Sequence, residues 1–134
     1  MTRTTSTGTG RTQAERTAVT RAKLLDAAVD SLVELGYART TTQVIAKRAG
    51  VSRGAQLHHF PTKESLVVAA VEHLADKRLT EILEASPDPE RGLDVLTDAF
   101  RGPLFHAALE LWVAARTDPA LHEAVIPLER KVSD

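Results

Sequence analysis

Arg53, Gly54, Ala55 and Gln56 follow one another in the chain, with Thr42 and Gln43 upstream and Lys63 downstream. These residue types suit recognition of a flat, acceptor-rich polyanion better than bond-making chemistry. A guanidinium can bond guanine O6 and N7 together, a carboxamide can bond adenine N6 and N7, and an alanine can meet a thymine methyl. Gly54 has no side chain and would let its helix approach base edges. Thr42 and Gln43 can offer side chains and free amides to a phosphate at a helix start, and Lys63 adds a charge at the start of another. Each residue also has an ordinary reading. Arg53 can contact phosphate or lie free on the surface, Gly54 can simply be tolerated at a helix start, Gln56 can be half-buried and structural, and Thr42 can be an N-cap. Thr40 and Lys47 are weaker candidates of the same kind.

Other chemistries find less support. His58 and His59 are adjacent, so on a helix they point about 100° apart and cannot easily share a metal ion. The chain has no cysteine, which excludes disulfides, thiolate metal sites and cysteine nucleophiles. No nucleophile elbow, phosphate loop or paired-carboxylate signature occurs, and His122-Glu123 lacks the second histidine of a zinc motif. No apolar run approaches the roughly 20 residues of a membrane span. The first residues, MTRTTSTGTGRTQ, lack the apolar segment of a secretory signal. The reading is a cytoplasmic, non-enzymatic protein without metal or cofactor.

Charge is unevenly distributed. The net charge is -1 over 134 residues, yet residues 36–63 hold Arg39, Lys47, Arg48, Arg53 and Lys63 and no acidic side chain. Residues 64–134 carry fourteen acidic against seven basic side chains. A basic island beside an acidic body is a local polyanion site in outline, although a basic run is often only a solvated face.

The elements that must position these residues read as helices almost throughout. Residues 1–13 are Thr- and Gly-rich without apolar periodicity and read as a disordered leader; Arg3, Arg11 and Arg16 make only a thin case for a basic arm. Ala18, Ala22, Leu25, Val29 (or Ala28) and Leu32 predict a helix over about 15–35, ended by Gly36 as a left-handed cap. Thr40, Thr41 and Thr42 are candidate N-caps for a helix over 42–49, which Gly50 ends. Ser52 caps a helix reaching His59, Pro61 stops it, and Thr62 caps the next, which continues to about Ala85. Val44, Ile45, Ala49, Val51, Phe60 and Leu66 read as core. Asp88-Pro89 opens a helix over about 89–100, Gly102-Pro103 another to about Arg116, and Asp118-Pro119 a last one with Pro127 as a kink. The fold class is all-α.

Two short helices joined by Ala49-Gly50-Val51-Ser52 form a helix-turn-helix pattern. The glycine bends the backbone, the valine plugs the angle, and the serine opens a second helix whose first turn can enter a major groove. An ordinary helix hairpin is the alternative.

Residues 40–66, TTTQVIAKRAGVSRGAQLHHFPTKESL, closely resemble the DNA-binding head of the TetR/AcrR family of regulators. The resemblance rests on Thr42, Ile45, Ala46, Ala49, Gly50, Val51, Ser52, Gly54, His59, Phe60, Lys63, Glu64 and Leu66, and extends over about residues 15–85. It implies a helix-turn-helix domain over 14–64, with its recognition helix at about 52–59. A helical effector-binding and dimerisation body over 65–134 would follow, expected to be partial because members usually continue with two long dimer-forming helices. It also implies that one histidine touches the DNA backbone, His58 being the better candidate, while the other orients packing. Ala55-Gln56-Leu57 departs from the family pattern: the usual tyrosine is Leu57, and an apolar packing position is Gln56.

The function so implied is a sequence-specific transcriptional regulator, a repressor released from a palindromic double-stranded operator by a small molecule, acting as a homodimer when full length. Phe100, Phe105, Leu109 and Trp112, with His106 and Val113, are candidates for lining an apolar effector pocket; the alternative is core between the fifth and sixth helices. A helical protein-interaction module with a degenerate DNA-binding head is the competing function.

Overall fold

A computed structural model describes residues 12–84 and 91–133, with nothing said of the side chains at 83, 93, 95, 96, 99 and 129–133. The described residues form α1 (Gln13–Leu35), α2 (Thr42–Ala49), α3 (Arg53–His59), α4 (Lys63–Glu84), α5 (Gly92–Ala99), α6 (Pro103–Ala115) and α7 (Pro119–Ser133). The expected leader lies outside them except for its end, where Thr12 caps α1. The Thr12 hydroxyl accepts from the Glu15 amide at 3.1 Å and Glu15 accepts from the Thr12 amide at 3.3 Å, so the helix starts two residues before its apolar stripe suggests. The expected Asp88-Pro89 cap also falls outside the described residues.

Side-chain oxygens set most of the helix starts. Thr41, not Thr42, caps α2, accepting from the Val44 amide at 3.1 Å, and Ser52 caps α3 by accepting from the Ala55 amide at 3.1 Å. Thr62 and Ser65 cap α4 reciprocally: Thr62 accepts from the Ser65 amide at 3.0 Å while Ser65 accepts from the Thr62 amide at 3.3 Å. Asp118 accepts from the Leu121 amide at 3.0 Å and opens α7, which runs through Pro127.

Two glycines end helices with positive φ. Gly50 closes α2 at φ 68° and ψ 33°, the left-handed conformation expected of such a cap. Gly36 also has positive φ, 81°, but its ψ of 169° takes it out of the left-handed helical region into one open almost solely to glycine.

One continuous core joins the N-terminal and C-terminal helices. Leu24, Leu25, Ala28 and Leu32 of α1 bury against Leu66, Val67, Ala70 and Val71 of α4 and, beyond them, Leu111 of α6 and Leu121 and Val125 of α7. The α1 helix packs against α2, α4 and α6, so its buried arc is wider than a single stripe. Leu24, Ala27 and Ser31 are therefore buried alongside the expected Leu25, Val29 and Leu32, while Ala18 is exposed. Ile45, Phe60 and Leu66 are buried as core, and Ala49 and Val51 pack partly buried against it.

Candidate nucleic-acid interface

The short α3 helix has two distinct sides. Gln56 is 0% exposed, Ala55 and His59 are partly buried, and Phe60 just beyond the helix is buried. Arg53, Gly54, Leu57 and His58 are exposed. At about 100° per residue, these four fill one arc of about 140°, with Leu57 some 40° from Arg53. The inward side anchors the helix. Gln56 donates from Nε2 to the Phe60 carbonyl at 2.8 Å, and the Arg21 guanidinium lies 5.3 Å from the centroid of the Phe60 ring.

This arrangement removes Gln56 from the expected base contacts. Its carboxamide is enclosed and ties off the C-terminal end of α3, so it cannot present N and O to an adenine edge. Its Oε1 is buried without a hydrogen-bond partner among the described residues. Ala55 lies on the half-buried side, away from Arg53, and is poorly placed to meet a thymine methyl. Arg53 and His58 stand on the outward arc. A Cβ added at Gly54 would meet nothing within 4 Å, so the absent side chain serves no internal packing.

The flanking elements supply the remaining polar groups. At the start of α2, Gln43 is exposed and Thr42 partly exposed, and with Thr41 doing the capping the Thr42 hydroxyl is not required for that role. Thr40 is 0% exposed and donates its hydroxyl to the Gly36 carbonyl at 2.7 Å, a structural role that excludes phosphate contact.

The basic island divides into tied and untied charges. Arg48 pairs with Glu34 at 2.9 Å, and its hydrogen bond and charge hold the Glu34 carboxyl below the usual carboxylate range. Lys63 donates to the Tyr37 carbonyl at 2.6 Å and lies 3.8 Å from the centroid of the Tyr37 ring. Burial pushes its ammonium below the ordinary lysine value, against the opposing pull of Asp118 and Glu64. The Tyr37 phenol is pushed far up by the same burial, aided by Glu64 and Asp118. Lys63 is thus a structural clamp first, with only its remaining N–H groups available to a phosphate. Arg39, Lys47 and Arg53 are exposed and pair with no acidic side chain among the described residues.

Sequence reasoning missed Glu110. Its carboxylate, on α6, accepts from the Tyr37 amide at 3.0 Å across 73 residues of sequence. Tyr37, Lys63, Glu110 and Asp118 line an open groove of about 690 Å³ where the helix-turn-helix meets α6 and α7. No local pattern marks Glu110, because its partner is a backbone amide.

The expected effector-lining residues occupy a surface. Phe100 is 61% exposed, Leu109 50% and Val113 54%; Phe105, Ala108, Leu109 and Trp112 line a shallow apolar depression of about 210 Å³ on α6. Phe100 and Phe105 pack edge to face at 5.1 Å between centroids. Among the described residues these side chains enclose no chamber; Trp112 and Ala108 pack partly buried against the core, while Phe100, Phe105, Leu109 and Val113 face outward. Among the described residues, no helix is long and apolar enough to cross a membrane.

Residues 24–70 match the family described as bacterial regulatory proteins, tetR family. Over 122 residues the chain is 41% identical to the HTH-type transcriptional regulator CymR of Pseudomonas putida, covering 86% of this chain and 60% of CymR. It is 31% identical to the HTH-type transcriptional repressor AcnR of Corynebacterium diphtheriae, covering 85% of this chain and 60% of AcnR. The fold is similar to the crystal structure of a Rhodococcus transcriptional regulator, with a TM-score of 0.65 at 33% identity, over 83% of this chain and 62% of that one. The chain therefore spans about three fifths of the length of these relatives. Residues 24–70, the helix-turn-helix and the helices that brace it, are thus a domain of the tetR family of bacterial regulatory proteins, and the chain around them is similar to transcriptional regulators that carry it.

Proposed function

We propose that the protein is a sequence-specific transcriptional repressor that places α3 in the major groove of a double-stranded operator. The observation that carries this reading is the two-sidedness of α3. Gln56 and Phe60 fix its inner side, while Arg53, Gly54, Leu57 and His58 stand exposed, as does Lys47 on α2. Arg53 reads a guanine, and Thr42, Gln43, His58 and the remaining N–H groups of Lys63 meet the phosphates on either side. Repression follows from occupying the operator and is the activity named for AcnR. Family membership supports action as a homodimer in the cytoplasm on a palindromic site, with two heads about 34–36 Å apart or a multiple of it. It also supports release by a small apolar effector. Such a ligand acts only by binding one spacing of the heads better than the other. The shallow depression at Phe105, Leu109 and Trp112 supplies one apolar wall for it.

Selection from a random duplex pool at two salt concentrations, with the protein's mass in solution recorded, tests the reading. Enrichment of a palindrome by a dimer supports the whole proposal, and enrichment of a half-site by a monomer supports the head alone. Absence of binding at both salts contradicts it and favours a protein-interaction module.

A further inference from the structure

We infer that Leu57 is a specificity-determining residue that reads a thymine methyl group in the major groove, next to the guanine contact of Arg53. The inference rests on the proposed DNA-binding function and assigns a base to Leu57, which stands where the family pattern has a tyrosine and cannot make that residue's polar contacts. Leu57 is 44% exposed, on a helix whose inner side is filled by Gln56 and Phe60. A single exposed leucine on a protein surface is ordinary. Leu57, however, lies inside the outward arc, between Arg53 and Gly54.

Its chemistry narrows the partner. Leucine can neither donate to a phosphate nor bond the polar edge of a base, and the apolar group that B-DNA displays in the major groove is the thymine C5-methyl. Ala55, the other residue able to meet a methyl, is partly buried on the far side of the helix. Gly54 keeps the neighbouring surface low, since nothing projects from it and, among the described residues, nothing beyond its chain neighbours and its own helix backbone lies within 4 Å of where its Cβ would stand. Four residues separate Leu57 from Arg53, an advance of about 6 Å along a helix axis, or about two base-pair steps. The thymine is therefore placed within about two base pairs of the guanine read by Arg53.

The test uses the full chain and a duplex recovered by selection. Each thymine is replaced in turn by deoxyuridine, which removes the methyl and leaves the hydrogen-bonding pattern intact. The wild type should lose about fourfold in affinity at one thymine per half-site, the effect of one buried methyl. Leu57→Ala should bind the thymine and deoxyuridine duplexes equally at that position. It should keep its preference for the Arg53 guanine, with an unchanged melting temperature showing that the fold is intact. Indifference of the wild type to every deoxyuridine would overturn the inference, as would Leu57→Ala retaining the same loss or a selected site with no thymine near the guanine. Failure to select any duplex overturns the DNA-binding reading itself, and the two failures are thereby told apart.

Discussion

Lys63 holds Tyr37 in two ways at once, donating to its carbonyl at 2.6 Å and resting 3.8 Å from the centroid of its ring. Glu110 accepts the Tyr37 amide at 3.0 Å, so a single residue of the loop between α1 and α2 is gripped from α4 on one side and α6 on the other. The joint ties the loop that leads into the helix-turn-helix directly to both α4 and α6.

Glu110→Ala should therefore lower stability by about 1–2 kcal/mol, because it leaves a partly buried backbone amide unpaired. Glu110→Gln, which keeps an acceptor oxygen, should lower it less. Denaturant titration measures both. Equal stabilities for wild type and Glu110→Ala would mean that the joint contributes nothing.

Gly36 and Gly50 both have positive φ but differ in surroundings. At Gly50 an added Cβ meets nothing within 4 Å, and Gly50→Ala should cost about 1 kcal/mol from the left-handed backbone alone. At Gly36 the same Cβ stands 3.3 Å from Glu110 Oε2, in a backbone region that alanine hardly enters. Gly36→Ala should cost more, about 2–3 kcal/mol, and should disturb the Tyr37 joint. Thermal unfolding of the two variants would show the order, and a reversed order would contradict the account.

Gln56→Leu tests the inward placement of that side chain. The substitution removes a buried oxygen without a partner and also the hydrogen bond to the Phe60 carbonyl, so stability should change by no more than about 1 kcal/mol in either direction. Sequence preference should stay as it is. A shift in preference at one base position, measured by repeating the selection, would return Gln56 to the contact surface.

Arg53→Ala should weaken operator binding by about 1–3 kcal/mol if the contact to guanine is bidentate, and should weaken random duplex less. Competition titrations of the two duplexes give the ratio. Equal weakening of both would make Arg53 a phosphate contact.

The helix-turn-helix was legible because its punctuation is local. Gly50 ends one helix and Ser52 starts the next through bonds that span three or four residues, and these leave a mark in the order of residues. At Gly36 the positive φ expected of a left-handed cap is present, but ψ is 169°, and the amide that follows, that of Tyr37, bonds Glu110 rather than the end of α1. Periodicity found one face of α1 but could not show that α2, α4 and α6 surround it, so Leu24 and Ser31 escaped notice. Gln56 reads as a surface residue by type. Only the packing around Phe60 shows that it faces inward, a relation not written in residue types. Lys63 was legible as a cation at a helix start, but its engagement with Tyr37 depends on a contact across 26 residues.

The proposed repressor places α3 in the major groove with Arg53 and Leu57 facing the bases and His58 the backbone. Methylation interference on the selected duplex tests it most directly, since guanine N7 lies in the major groove and adenine N3 in the minor. The account predicts that methylation of guanine N7 within each half-site abolishes binding, and that Arg53→Ala loses this sensitivity at one guanine. Interference confined to adenine N3, with guanine N7 methylation tolerated throughout, would contradict it.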